Sequence, residues 1–431
     1  MAPPLKVLLV LTEFPPRIGG MQTHAHYLAK HLHAKGYSIE VVTYHAITRI
    51  EETRHLNWDN NVPYPVHRIL SRIGHFENLN KLENLARNSK VDLVYCSTVF
   101  YGALRDRLKI PVVARSVGND VLRPWIVYPY KVASRLLSHK WFEKYLYRYF
   151  RTLDYPEAIE VLWRGKRRKL MMDSARQLSL IFANSDFTRK ELQAIGVDSA
   201  SIKVLSGGVE SAKFAARPKR NDALRKTLNI PKEHYVVLTA CRLEHKKAVD
   251  FLIESMPSLL EHFADGHLVI VGRGRKERKL RALARRSPAR DRITFAGRVE
   301  HDIIQEYYQM ADLFVLPSRL HIDPVTGLRD AETMGRVLCE ANAASVPTIA
   351  ANSGGIPSII RHDVNGLLFE SDDTESYLRA ISEVRSNPQR TKIRIANGQM
   401  LAKHRYDWSV ILHTHEASFL SCHAEGKALH V

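Results

Sequence analysis

Ala331-Glu332-Thr333-Met334-Gly335-Arg336-Val337-Leu338-Cys339-Glu340-Ala341-Asn342-Ala343 is the stretch on which the reading of this chain turns. Two glutamates bracket a glycine and the start of an apolar-periodic run. Val337, Leu338, Ala341 and Ala344 recur at i, i+1, i+4 and i+7, which is one face of a helix. Pro347 and the run Thr348-Ile349-Ala350 then read as a short buried strand. Gly335 therefore falls at or near a helix N-terminus, where free backbone N–H groups make an anion site. Carboxylates repel anions, so two glutamates beside such a site need a reason. They fit if each accepts hydrogen bonds from hydroxyls while the amides hold phosphate, which is the layout of a sugar nucleotide.

The chain around this stretch is long enough for two or three domains with full-sized cores, at 431 residues. Apolar residues make up 45% and charged residues 25%, an ordinary balance for a globular protein. Lys and Arg number 64 against 45 Asp and Glu, a formal +19, which favours an anionic partner. Cys96, Cys241, Cys339 and Cys422 are scattered and form no motif. That usage fits a reducing cytosol and argues against a cysteine-based zinc site. The apolar run beginning at Val7 is too short for a secretory signal and reads as a strand. No run approaches the roughly 18–20 apolar residues of a membrane span. The expected location is cytoplasmic, with any membrane association peripheral at the inner face.

From the start, Lys6-Val7-Leu8-Leu9-Val10-Leu11-Thr12 is a buried-strand pattern, followed by the turn Phe14-Pro15-Pro16-Arg17-Ile18-Gly19-Gly20. Helical spacing runs from Met21 to Ala34, and Ile39–Thr43 is a second strand. This is a βαβ unit, with Gly20 in the loop at the carboxyl edge of a parallel sheet, where backbone can approach a phosphate closely. His24, His26, His31 and His33 pair at seven-residue spacing; the reading is a solvated polar face rather than a metal site. Further strands are expected at Val91–Tyr95 and Pro111–Ala114 and at Leu178–Asn184. A second Rossmann-like pattern opens at Tyr235–Ala240 and delivers Arg242 and Lys247 just after a strand end, a guanidinium and a point charge suited to clamping phosphate. His267–Gly274 is a strand running into Gly-x-Gly, a weak dinucleotide signal without its third glycine. Ile293–Val299 and Ala311–Ser318 are two more strands, and 319–330 reads as a polar, mobile loop feeding Glu332.

Several of these segments resemble the retaining glycosyltransferases of family 4. Glu332 and Glu340 match the family's Glu-x7-Glu signature. Arg242-Leu243-x-x-x-Lys247 is similar to its Gly-Arg-Leu-x-x-x-Lys-Gly, with Cys241 and Ala248 replacing the glycines. Gly208, Val209 and Phe214 match the segment where the two domains of the fold join, and residues 215–232 suit a linker. The resemblance implies an α/β protein of GT-B fold: two facing Rossmann-like domains with a C-terminal crossover helix. The expected boundaries are 1–210, 211–405 and 406–431. It further implies that Arg242 and Lys247 hold the donor diphosphate. Glu332 binds donor-sugar hydroxyls near the anomeric carbon, and Glu340 binds the ribose. Met334, Gly335, Arg336 and Gly20 complete the donor site. No metal and no cofactor are expected, since the leaving phosphate helps take the acceptor's proton. Gly118 and Asp120 match the family's His-Gly-x-Asp loop on the acceptor side, but Val117 stands where the His usually is, so no catalytic histidine is carried over. Other GT-B enzymes, a phosphorylase or a sugar-nucleotide epimerase, and a non-catalytic GT-B scaffold are the rival readings.

One segment belongs to neither pattern. Between Arg123 and Lys169 lie 12 Lys/Arg against four acids and eleven aromatics, including Trp125, Trp141 and Trp163. Two readings stay open for this insert, about 123–170. It is either an amphipathic surface for an anionic membrane or a charged helical face that packs its aromatics into the core. No nucleic-acid motif accompanies the charge. The expected partners are a nucleotide-sugar donor, a saccharide or lipid-linked acceptor, and this membrane surface.

Overall fold

The computed structural model describes residues 5–16, 19–152, 157–215 and 221–428. The chain forms two compact units. The first takes Met1–Leu205, Asp323–Leu328 and Leu412–Val431; the second takes Ser206–Ile322 and Arg329–Ile411.

In the first unit seven strands form one sheet: β1 (Lys6–Val10), β2 (Ser38–Tyr44), β3 (Val66–Leu70), β4 (Leu93–Cys96), β5 (Val112–Ser116), β6 (Leu180–Ala183) and β7 (Ile202–Val204). Their order is β3-β2-β1-β4-β5-β6-β7, with every pairing parallel. The sequence explains this. Val7, Leu8, Leu9 and Val10 are all fully buried, as continuous apolar strands must be when helices cover both faces. The helix Gly20–Ala34 follows β1 and buries His24, Ala25, Leu28, Ala29 and Leu32. It ends where Gly36 takes the left-handed backbone (φ 85°).

The second unit repeats the plan with β8 (Tyr235–Ala240), β9 (Gly266–Val271), β10 (Ile293–Gly297), β11 (Leu313–Leu316), a hairpin of β12 (His321–Ile322) and β13 (Arg329–Asp330), β14 (Thr348–Ala351) and β15 (Leu367–Phe369). The main sheet runs β10-β9-β8-β11-β14-β15, again parallel. The chain enters at β8, winds outward through β9 and β10, and returns on the other side at β11. The strand order therefore switches direction between β8 and β11, and ligands of such sheets bind outside the carboxyl ends of strands at that point. Apolar side chains such as Val237, Leu238, Leu268, Val269 and Ile270 are wholly buried, each stabilising the unit by about 1.5–3 kcal/mol.

Three expectations change on contact with the structure. The stretch 215–232 is more than a linker: Asp222–Thr227 is a helix, and Arg225, 1% exposed, donates to the Met310 and His234 carbonyls and to Asp312. The loop 319–330 contains the β12/β13 hairpin and a turn in which Asp323 Oδ1 accepts from the Val325 and Thr326 amides. Of the histidines of the first helix only His33 is exposed; the other three do not form a solvated face. His24 is buried with its ring 5.1 Å from that of His415, His31 Nε2 lies 3.0 Å from Glu416, and His26 and His33 pack against Trp58 and Tyr64. Spacing alone could not show this, because the surfaces they meet lie far away in sequence.

His415, on the helix Trp408–Ala428, is fully buried among Phe182, Tyr95, Phe419 and His24, and neither ring nitrogen has a hydrogen-bond partner. Burial first, then Arg115, Lys203 and His31, hold its pKa well below the usual value. The unfolded chain takes up the proton near pH 6.5 and the folded chain does not, so folding loses stability as pH falls through that value. Thermal melts of His415→Phe and wild type between pH 5 and 8 should show the variant's relative stability rising below about pH 6.5.

Candidate active site

The site is built where the strand order of the second sheet switches. The loop leaving β8 carries Arg242 and, through the short turn His245–Lys247, Lys246 and Lys247. Ala248 ends that turn in the left-handed region (φ 51°), the conformation glycine would take more easily. Arg242 is exposed and Lys247 nearly buried. From the other side of the switch, the chain after β11 passes through the hairpin and delivers Glu332. Lys247 Nζ pairs directly with Glu332 Oε2. Burial pushes the Glu332 carboxyl up, but Lys247, then Lys246 and Arg242, outweigh it and hold the group below the ordinary carboxylate range. Cys241, at the head of the same loop, keeps its proton: burial pushes its pKa up to about 11.

The main chain around Glu332 is closely held. The Gly355 amide donates to the Glu332 carbonyl at 2.7 Å, and a Cβ on Gly355 would meet the Thr333 carbonyl oxygen at 1.9 Å. Only glycine fits there. Gly335 precedes the helix Arg336–Ala343 with φ 87°, and no side chain caps that helix. Its first amides thus have no side-chain cap, as an anion site requires. The Met334 side chain is buried, and its sulfur accepts the Gly207 amide at 3.1 Å. Met334 can therefore offer a ligand its main chain rather than its side chain.

Glu340, one turn into the helix, is 5% exposed. Tyr308 Oη donates to its Oε2 at 2.9 Å, and Arg336 Nε lies 3.3 Å from its Oε1. A carboxylate has about four acceptor positions, so two donors leave capacity for hydroxyls of a ligand. Arg336 is thereby committed in part to Glu340. The structure brings Arg242, Lys247, Glu332, Met334, Gly335, Arg336 and Glu340 onto adjoining elements of one unit. Reading the sequence missed Tyr308, and Lys246 with Asp330, whose ion pair at 2.7 Å joins the turn His245–Lys247 to β13.

The other two residues expected in the site lie in the first unit. Gly20 opens the helix after β1 and is exposed. Asp120 follows β5 and is 6% exposed. Its Oδ1 accepts from Ser116 Oγ at 2.7 Å and its Oδ2 from the Val99 amide at 3.3 Å. Burial raises its pKa, and the Ser116 bond opposes that. Both oxygens of Asp120 are thus engaged in shaping the loop.

Comparison with known proteins places this arrangement. Residues 18–213 match the family described as Glycosyltransferase Family 4, and residues 220–400 the family described as Glycosyl transferases group 1. A GDP-mannose-dependent alpha-(1-6)-phosphatidylinositol monomannoside mannosyltransferase of Mycobacterium tuberculosis is 31% identical over 227 residues, which are 53% of this chain and 58% of that protein. A GDP-mannose-dependent monoacylated alpha-(1-6)-phosphatidylinositol monomannoside mannosyltransferase of Corynebacterium glutamicum is 26% identical over 412 residues, 94% of this chain and 95% of its own. Among solved structures, Anabaena HepE in complex with UDP superposes with a TM-score of 0.70 at 20% identity, over 97% of this chain and all of the other. The two doubly wound parallel sheets and these matches agree: the chain belongs to the family 4 glycosyltransferases and has the GT-B fold.

Proposed function

We propose that this protein is a retaining, metal-independent hexosyltransferase that moves a sugar from a nucleotide-sugar donor to a saccharide or lipid-linked acceptor. The observation that carries the reading is the Lys247–Glu332 pair, with Arg242 beside it, at the switch point of the second sheet. Arg242 and Lys247 take the donor diphosphate, helped by main-chain amides at Gly335 and Arg336. Glu332, released by Lys247, accepts hydroxyls of the sugar, and Glu340 accepts those of the ribose. The acceptor oxygen attacks the anomeric carbon on the face the diphosphate leaves. The bond to the diphosphate oxygen breaks, the new glycosidic bond forms, and the acceptor's proton passes to the leaving phosphate. Cations at that phosphate stabilise the charge that develops there. Acceptor recognition falls to the first unit, on loops that include Gly20 and the segment shaped by Asp120. The mycobacterial and corynebacterial relatives are named for lipid acceptors, which supports the lipid-linked class.

The insert 123–170 supports a membrane setting. On the helix Lys140–Thr152, Trp141, Tyr145 and Tyr149 are each more than half exposed at i, i+4 and i+8, flanked by exposed Lys140, Lys144 and Arg148. The acid of the described part of this helix, Glu143, is fully buried: it accepts the Arg72 amide at 2.9 Å and lies 3.0 Å from His45 Nε2. The outward face is therefore cationic and aromatic, as an interfacial helix needs. Core packing holds for other members of the segment. Trp163 is half-buried, and Arg167, 1% exposed, is bound to Glu160 and to the Ile126 and Val127 carbonyls. No described helix is long and apolar enough to cross a membrane.

A thermal-shift screen across UDP, GDP, ADP and their sugars identifies the donor, and three outcomes then test the reading. Arg242→Ala and Lys247→Ala each lower kcat/KM by about 10²–10³ with the fold intact, since one preorganised contact to developing charge is worth that much. Near-normal values in both would remove the clamp. Glu340→Ala chiefly raises donor KM, and Glu332→Ala chiefly lowers kcat, because ribose contacts are alike in ground and transition states while contacts near the anomeric carbon tighten. In liposome co-sedimentation, binding requires anionic lipid, weakens with salt, and drops when Lys140, Lys144 and Arg148 are neutralised together, each cation contributing about 1 kcal/mol. Equal sedimentation with neutral and anionic vesicles would exclude the docking face.

A further inference from the structure

Three consecutive side chains of the loop after β8 each meet the segment that leads into Glu332. The His245 ring lies 4.3 Å from that of His321. Lys246 Nζ donates to Asp330 Oδ1 at 2.7 Å and to the Ala331 carbonyl at 3.1 Å. Lys247 pairs with Glu332. In return the Lys246 carbonyl accepts the Arg319 amide at 2.8 Å. Lys246 is 8% exposed, unlike Arg242, and both of its side-chain bonds go to the two residues immediately before Glu332.

We propose that Lys246 is a positioning residue for Glu332: it pins the Asp330–Ala331 main chain so that the Glu332 carboxylate stays beside Lys247 and Arg242. The proposal rests on the reading of Glu332 as a donor contact. The need for a pin follows from topology. Between β11 and Glu332 the strand pairing is a hairpin of two paired positions, and so short a hairpin is marginal by itself. Two fixings bear on the chain at consecutive carbonyls. Gly355 N–H holds that of Glu332, and Lys246 holds that of Ala331. Remove the second, and Glu332 hangs from one side. A misplacement of about 1 Å at a reacting centre costs on the order of 10² in rate. Lys246 and Lys247 are adjacent lysines with different work: one bonds the protein's own chain, the other faces the ligand.

The test uses Lys246→Met, Lys246→Arg and Asp330→Ala in the full chain, with two readouts. The first needs no substrate. Amide hydrogen exchange read by mass spectrometry should speed up in peptides covering 329–335 in Lys246→Met and Asp330→Ala, and return toward wild type in Lys246→Arg. The second is kinetic. Lys246→Met should lower kcat by about 10- to 100-fold while donor KM stays within about twofold. Lys246→Arg should recover most of the loss, and Lys246→Met/Asp330→Ala should fall no further than Lys246→Met alone. Unchanged exchange at 329–335 overturns the proposal. So does a Lys246→Met protein that keeps kcat but loses binding of the free nucleoside diphosphate, which would make Lys246 a phosphate ligand. Wild-type protein that transfers no sugar from any nucleotide donor sinks the glycosyl-transfer reading instead, and the exchange data still judge the pin.

Discussion

A carboxylate held out of water among cations is the constraint on which the rest of this structure depends. Taking an ionised carboxylate into a protein interior costs several kcal/mol unless partners compensate. Glu332 is compensated by Lys247 in direct contact and by Lys246 and Arg242 nearby, and its pKa ends below the ordinary range despite burial. The same cations are what a diphosphate seeks. In this structure the carboxylate keeps the lysine in place. On the proposed reading, a donor phosphate takes over Lys247, and the carboxylate turns from ion-pair partner to acceptor of hydroxyls. One ion pair would then preorganise two subsites.

The fold makes that pairing possible by bringing two distant loops together. Arg242 and Glu332 are separated by ninety positions of chain, yet β8 and β11 are adjacent strands, so the loops leaving their carboxyl ends share one crevice. Parallel sheets require this kind of crossover, and their strands are buried on both faces. Rigidity then comes from close backbone contacts. Gly355 lies so near Thr333 that no side chain fits, and Glu340 is steadied by Tyr308 from the helix Ile304–Met310.

Much of this was legible in the sequence because it rests on local pattern. Apolar runs at Val7 and Val236 and glycine at a helix start are features of a few residues each, and the spacings Glu332–Glu340 and Arg242–Lys247 carry the family resemblance. What was not legible depends on partners far away. The burial of His24 needs His415, 391 positions on. The helix at 222–227 looked like a polar linker because Arg225, its anchor, is a charged residue that finds the carbonyl of Met310. The hairpin before Glu332 looked like a mobile loop because its two paired positions are too few to show alternation. Asp120 matched a motif, but matching does not reveal that Ser116 and Val99 already occupy its oxygens.

Formal charge is similarly a poor guide until burial is known. Arg167, Arg225, Arg394 and Lys246 all count toward the +19, yet each is at least nine-tenths buried and bonded to acids or carbonyls of its own chain. They are struts, and they attract no partner. Lys140, Lys144 and Arg148 of the helix Lys140–Thr152 are exposed, and the described acid of that helix is turned inward. Exposed charge therefore includes that helix and Arg242. These two places call for different anions. The helix offers exposed aromatic rings among its cations, the face that the proposed reading sets against lipid. Arg242 is close enough to Glu332 to help hold its carboxyl ionised, and the proposed reading gives it a phosphate. Screening by salt separates that face from the Lys247–Glu332 pair: interactions across an exposed face fade beyond about 8–10 Å at physiological ionic strength, while the nearly buried pair is screened less.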